Sequence, residues 1–351
     1  MKILVSGGAG FIGSHVVDQL VQKGHQVTVL DHFKSGRMSN LKQAIEVSKK
    51  NKKPLKIIRG DVSKSEVWKK MPAFDAFFHF AAQTSVTASV SQLPLDFSWN
   101  VKSVEHIIQW IRKKKIRFVM YANTAGALYG DASQIPTTEQ SVLNPLSPYG
   151  ATKSFLETYL RALSFSWKGS GDCDSNPSSS KYFSWASMRL ANVYGPRQIS
   201  KGEAGVIPIF TEKFLAQKIP SIFGSGRETR DYVHVGDVAA AFMSIFEKMQ
   251  LQPIDDVFNV GATREVPTEL IYKLVREELI NVLNKDNKKF SKVLLWLTKN
   301  SSPNFSPLRP GELKRSAVSV DKLKSFSNWS PKKTIEEGIR EAVQYFVAHE
   351  I

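Results

Sequence analysis

Tyr149 and Lys153 stand four residues apart, a spacing that sets both side chains on one face of a helix. An ammonium held beside a phenol favours the phenolate and lowers the phenol pKa from about 10 toward neutrality. That chemistry makes Tyr149 a candidate general base at physiological pH. Thr124, just beyond the apolar run 118–122, is a hydroxyl that can join the pair. The spacing alone is weak: with nine tyrosines in a lysine-rich chain, a surface Tyr–Lys pair matches it too. Context separates the readings. The pair lies in a helical stretch behind Ser147-Pro148, and a glycine-rich turn stands far upstream.

That turn is S-G-G-A-G-F-I-G at residues 6–13, directly after the apolar run Ile3-Leu4-Val5. Gly7, Gly10 and Gly13 let a backbone approach phosphates closely. A helix beginning there supplies free N–H groups and a partial positive charge. Asp31 ends the next apolar run, 27–30, where a carboxylate can bind an adenosine ribose and repel a 2′-phosphate. Lys34 and Arg37 are close enough in sequence to keep a 2′-phosphorylated nucleotide open. A bound nicotinamide cation would reinforce the phenolate form of Tyr149.

The elements that must hold these residues alternate. Residues 55–59 (ending at Gly60-Asp61-Val62), 74–81, 116–122 and 182–190 read as strands, of which 74–81 is almost continuously apolar and 116–122 buried. Residues 94–115 read as one long helix with Val101, Val104, Ile107, Ile108 and Ile111 on a face, and 147–164 as another. The pattern predicts an α/β fold, a doubly wound parallel Rossmann sheet with right-handed crossovers and both faces covered. Its chemistry belongs at the C-terminal ends of the strands. Residues 169–181 read as a polar surface loop. Beyond Asn192 the pattern is less regular and richer in Pro and Gly. A nucleotide-binding domain over 1–190, with return segments near 232–261, and a smaller C-terminal α/β substrate lobe over 191–231 and 262–351 are expected.

Composition narrows the class. No run approaches the roughly 20 apolar residues of a membrane helix. A core strand begins almost at residue 1, which predicts no signal peptide. Cys173 is the one cysteine of the 351 residues, so no internal disulfide forms and a reducing, cytoplasmic location is expected. Forty-eight Lys and Arg against 32 Asp and Glu give a formal +16. The clusters at 49–53, 112–115 and 285–289 fall at expected helix ends and loops without interleaved aromatics. They read as solvated faces that also attract a phosphorylated substrate; a nucleic-acid-binding relative of the fold is the minor alternative.

The chain resembles the extended short-chain dehydrogenases/reductases, in the NAD-dependent nucleotide-sugar epimerase/dehydratase group. The resemblance rests on G-G-A-G-F-I-G (7–13), Asp61-Val62, F-H-F-A-A-Q (78–83), Asn100-Val101, S-P-Y-G-A-T-K (147–153) and R-L-A-N-V-Y-G-P-R-Q (189–198). It continues through G-E-A-G-V-I (202–207), T-R-D-Y-V-H-V (229–235), F-N-V-G (258–261), R-P-G-E (309–312) and N-W-S-P (328–331). Ser6 and Asn123 replace a usual Thr and Ser, and the segment before Arg309 looks long. The resemblance implies a tightly held NAD, bounded by Gly7, Gly10, Phe11, Ile12, Gly13, Asp31, Asp61, Val62, Ala81, Ala82, Gln83, Asn100, Tyr149 and Lys153. It implies catalysis by Thr124, Tyr149 and Lys153, with Thr124 at the sugar O4, and no metal. It also implies a nucleoside-diphosphate sugar between the lobes, near Val206, with Asn192, Arg230 and Arg309 at the diphosphate.

Dehydratases of the group carry Asp-Glu after the catalytic Thr, and decarboxylating members a Glu. Here Ala125-Gly126-Ala127 follow Thr124. The stretch resembles the UDP-glucose 4-epimerase-like members and implies a UDP-hexose 4-epimerase. A uronate epimerase, a decarboxylase or a reductase is the alternative. In similar 4-epimerases the residue seven beyond the first Arg of R-x-G-E borders the sugar's C2 substituent, and a small one admits an N-acetyl group. Here that residue is Ser316. Relatives form homodimers through the helices equivalent to 94–115 and 147–164.

Overall fold

Apolar runs in the first half of the chain become strands β1 (Lys2–Ser6), β2 (Gln26–Asp31), β3 (Lys56–Arg59), β4 (Ala76–His79), β5 (Phe118–Thr124) and β6 (Ser184–Leu190). Later come β7 (Asn192–Tyr194), β8 (Ser221–Phe223), β9 (Thr229–His234), β10 (Asp255–Val260), β11 (Glu265–Pro267) and β12 (Asn304–Ser306). This computed structural model describes all residues except 172, 175, 177, 178, 180, 201–204, 310, 311, 350 and 351, and the side chains of 286–288. The central sheet runs β10-β6-β5-β4-β1-β2-β3 with every ladder parallel. The strand order reverses between β1 and β4, and a crevice opens at such a reversal.

Adjacent side chains along a strand face opposite sides of the sheet. Val5, Phe78 and Met120 point into one core, with Val16 and Leu20 of the Phe11–Gln22 helix and Phe242 and Phe246 of the Val235–Met249 helix. Their neighbours Leu4, Phe77 and Val119 point into the other, with Ile107 and Ile111 of the Ser103–Lys114 helix and Leu156 and Leu160 of the Pro148–Ser170 helix. A third core joins Phe210, Phe214, Val275, Leu279, Ile339 and Phe346 from the Val206–Leu215, Thr268–Leu283 and Ile335–His349 helices. β11-β9-β7 and β12-β8 form two small sheets beside them.

Several elements differ from the sequence expectation. The long helix over 94–115 is three pieces: Leu93–Phe97, a π-helical turn Ser98–Lys102, and Ser103–Lys114. The widened turn holds Asn100, whose side chain bonds the backbone of Gln83 and the Asp96 carboxylate. The strand expected over 74–81 ends at His79, because the backbone of Phe80 and Ala81 instead closes over Gly7. Of the return segments, residues 235–249 are a helix covering the sheet, and only β10 rejoins it, beside β6. Residues 169–170 complete a helix, and the rest of the expected 169–181 loop lies partly outside the described residues.

Candidate active site

The chain leaves β1 at Ser6 and turns at Gly7 with φ +70°, a left-handed conformation that favours glycine. A Cβ on Gly7 would lie 2.6 Å from the Ala81 nitrogen, and one on Gly13 would lie 2.3 Å from the Gly7 carbonyl oxygen. Both neighbours are backbone and cannot yield. The helix that follows starts at Phe11 with Gly10 as its N-cap and no side chain capping it. Its first N–H groups are therefore left for a ligand, as a phosphate site requires. Asp31, buried at the end of β2, accepts from the backbone N–H groups of Ala9 (3.0 Å) and Phe33 (2.8 Å). This locks its carboxylate at the mouth of the turn. The Lys34 ammonium sits 4.5 Å from the centre of the Trp99 ring, and His32 meets the same ring edge-on.

The opposite wall is built on the helix that carries Tyr149 and Lys153. Ser147 caps the Pro148–Ser170 helix by accepting from the Gly150 N–H at 3.2 Å, with Pro148 in its first turn. This cap sets Tyr149 at the helix start and Lys153 one turn on. Buried Lys153 donates to the Ala122 carbonyl at 2.8 Å and lies 4.3 Å over the Tyr121 ring. Thr124 ends β5 beside them. Its N–H donates to Asn123 Oδ1 at 2.9 Å. The Asn123 amide in turn donates to Glu157 (2.9 Å), which also receives Ser187 (2.7 Å) and the Arg189 guanidinium. Arg189 continues to Tyr129 OH at 2.7 Å, and Tyr129 to Asn259 at 2.8 Å. This buried chain locks Thr124 to the helix carrying Tyr149 and Lys153. Beneath them His79 bonds Ser6 Oγ at 2.7 Å; burial, and then the charge of Lys153, hold its pKa down to about 3, so its ring is neutral.

One cavity of about 500 Å³ joins the two walls. It is lined by Gly7, Gly10, Phe11, Ile12, Gly13, Asp31, Asp61, Val62, Ala81, Ala82, Thr124, Tyr149, Lys153, Asn192 and Arg309 from the sequence-derived set. Gln198 and Glu312, the last residues of two of the quoted motifs, line it as well, as do Thr84, Thr87 and Trp99, which no motif marked.

A family model described as "NAD dependent epimerase/dehydratase family" matches residues 3–261. The chain belongs to that family. UDP-glucose 4-epimerase of Mycolicibacterium smegmatis is 33% identical over 348 residues, which are 99% of this chain and 98% of that one. UDP-glucose 4-epimerase of Thermotoga maritima, solved with UDP-glucose, superposes with a TM-score of 0.82 at 32% identity over 100% of both chains. UDP-N-acetylglucosamine 4-epimerase of Methanobrevibacter ruminantium, solved with UDP-N-acetylmuramic acid, does so with 0.80 at 27% identity, over 99% of this chain and 98% of that one.

The family's cofactor is NAD. The glycine cradle, the uncapped helix end and the locked Asp31 fit that group.

Other members of the sequence-derived set lie off the cavity wall. Gln83 and Asn100 bond each other and Asp96, and Thr152 joins them at 2.8 Å from Asp96, so they brace the loop after β4 against the Pro148–Ser170 helix. Val206 begins a helix one residue past Gly205, which does line the cavity; residues 202–204 of the G-E-A-G-V-I motif lie outside the described residues. Arg230 donates to the Thr229 carbonyl at 2.8 Å and lies 3.8 Å from Glu312. The Arg309 guanidinium, which does line the cavity, stacks 3.7 Å from the centre of the Phe223 ring. Ser316 lies beside Gly126, two residues past Thr124: its Oγ is 3.3 Å from where a Cβ on Gly126 would be.

Proposed function

We propose that this protein interconverts the C4 epimers of a UDP-hexose and accepts UDP-N-acetylglucosamine or UDP-N-acetylgalactosamine. The observation that carries the reading is the meeting of Thr124, Tyr149 and Lys153 with the glycine turn in one cavity. Tyr149 takes the proton from the sugar O4, with Lys153 favouring its phenolate and Thr124 holding the oxygen. NAD, held by the glycine turn and Asp31, would supply the acceptor and later the donor of the hydride at C4. Tyr149 gives its proton back to O4 once the 4-keto sugar has turned about its diphosphate linkage and presents its opposite face. Asn192, Arg230 and Arg309 are assigned to the diphosphate, with guanidinium forks suited to its oxygens; Arg230 has to turn from Glu312 to reach it. Residues 1–190 with 232–261 form the cofactor domain in this reading, and the remainder the substrate lobe.

Elimination across C5 and C6 needs an acid and a base beside the hydroxyl. The residues after Thr124 are Ala125, Gly126 and Ala127, which offer neither. The experiment is incubation of the pure protein with UDP-glucose, UDP-N-acetylglucosamine and their uronates, resolved by NMR without added NAD(H). Epimer mixtures at C4 support the proposal. A 4-keto-6-deoxy product or net oxidation contradicts it.

The same reading assigns a homodimer. Leu93 and Phe97 on one helix and Phe155 and Tyr159 on its neighbour leave an exposed apolar face. No helix among the described residues is long and apolar enough to cross a membrane, and a cytoplasmic location fits the lone thiol, Cys173. A monomer by light scattering at micromolar concentration contradicts the dimer.

A further inference from the structure

All strands of the central sheet are parallel and their helices return antiparallel, so helix C-termini and strand starts share one end of the molecule. The registers Lys2↔Gln26, Thr28↔Lys56 and Ala76↔Phe118 start the strands nearly level. The active-site cavity opens at the other end, where the strands finish. Four segments at the starting end, 23–25, 49–56, 69–75 and 112–117, contain thirteen Lys and Arg and a single acid, Asp75. They account for most of the formal +16.

Hydrogen bonds tie these segments side by side. Lys53 reaches the Gly24 carbonyl, the Lys2 N–H reaches Asp75, and the Arg117 N–H reaches the Asp75 carbonyl. From β5 to β3 they span four strand spacings, roughly 20 Å. A basic residue or two at a helix C-terminus complements its dipole. Four in a row at 112–115 and four of five at 49–53 exceed that need.

We propose that this end of the molecule docks on an anionic lipid bilayer, leaving the active site turned toward solvent. Three features choose a bilayer over a nucleic acid. The charge is mainly lysine, whose compact ammonium meets headgroup phosphates without the bidentate fork that reads bases. No exposed large aromatic interrupts the four segments to stack a base. Flanking them on the β6–β10 side are two strongly exposed apolar side chains, Phe165 (83%) in the last two turns of the Pro148–Ser170 helix and Leu251 (75%) two residues past the Val235–Met249 helix. Ser164 and Lys168 bond Asp255 at the start of β10, which fixes Phe165 at this same end. Lysines around apolar side chains are the pattern of an interfacial surface.

The test is co-sedimentation of the full chain with phosphatidylcholine vesicles and with vesicles that also contain phosphatidylglycerol. The protein should pellet only with the second, at about 50 mM salt and not at about 500 mM, where the Debye length shrinks below the reach of a surface lysine. Each lysine facing the surface contributes about fivefold in partitioning, so the triple variant Lys49→Glu, Lys50→Glu, Lys113→Glu should bind about 100-fold more weakly or worse. Its melting temperature and sugar turnover should match the parent. No pelleting with anionic vesicles at low salt overturns the proposal, as does a triple variant that binds like the parent. A duplex DNA or RNA oligonucleotide that strips the protein from the vesicles overturns it in favour of a nucleic acid.

Discussion

Glu157→Gln is the perturbation that most directly tests how Thr124 and the Tyr149–Lys153 helix are held together. Glu157 and Arg189 are 3% and 2% exposed. The Glu157 carboxylate receives four donors: the Asn123 amide, the Ser187 hydroxyl, and Nε and Nη2 of Arg189. A glutamine has one oxygen and one NH2 at the same place, so at least one buried donor then faces another donor. The Arg189 cation is left without its counter-charge. Breaking a buried pair by neutralising one partner costs about 3–5 kcal/mol. Against a total stability of about 5–15 kcal/mol, that is a severe loss. Equilibrium urea unfolding, followed by tryptophan fluorescence, reads it as a drop in midpoint. Replacing both charges together, Glu157→Met with Arg189→Met, should recover part of the loss, since no charge is then stranded. Because Asn123 also holds the Thr124 N–H, kcat of the folded single variant should fall with little change in KM. A single variant less stable by under about 1 kcal/mol, the scale of an exposed pair, would refute the reasoning.

Three other outcomes follow from the geometry. Gly13→Ala forces a Cβ to 2.3 Å from the Gly7 carbonyl, so the purified variant should release little or no NAD(H) on denaturation, whereas the parent should release it. Burial holds both His79 and His15 down to about 3, so between pH 6.5 and 3 the unfolded chain binds more protons; stability should be highest above pH 6.5 and fall as pH drops, with Asp231, raised by burial to about 6, opposing this only in part. Urea midpoints across pH 7.5 to 4.5 measure that slope, which should be shallower in His79→Gln. Ser316→Tyr should suppress turnover of UDP-N-acetylglucosamine selectively, because overpacking costs about 1–3 kcal/mol, and equal loss on UDP-glucose would contradict the assignment.

Much of the fold was readable because its signals are local. Gly7, Gly10, Gly13 and Asp31 announce a strand, a turn, a helix and the next strand within thirty residues, and the Tyr149–Lys153 spacing needs only a helix to become a shared face. Alternating apolar runs predict a parallel sheet, and the parallel sheet is there. What escaped was long-range. Glu157 meets Asn123 across 34 residues and Arg189 across 32, and nothing in the neighbouring sequence marks it as their acceptor. Asp231 receives N–H groups from Ala262, Thr263 and Val318, a convergence that three separate segments create. Trp99 reaches the Asp31 end of the cavity only because a π-helical turn interrupts the helix that periodicity had drawn as continuous. Arg230 shows the converse limit. Its position was legible, but its direction is set by Glu312, eighty-two residues later, and by the Thr229 carbonyl.

The most direct measurement is epimerisation by Tyr149→Phe, followed by NMR on UDP-glucose and UDP-N-acetylglucosamine, with the variant's NAD(H) content and melting temperature recorded alongside. Removing the phenol oxygen while keeping the ring should lower kcat by about 10²–10⁴ and leave cofactor and fold in place. Near-parental turnover by Tyr149→Phe would contradict the proposed chemistry at its centre.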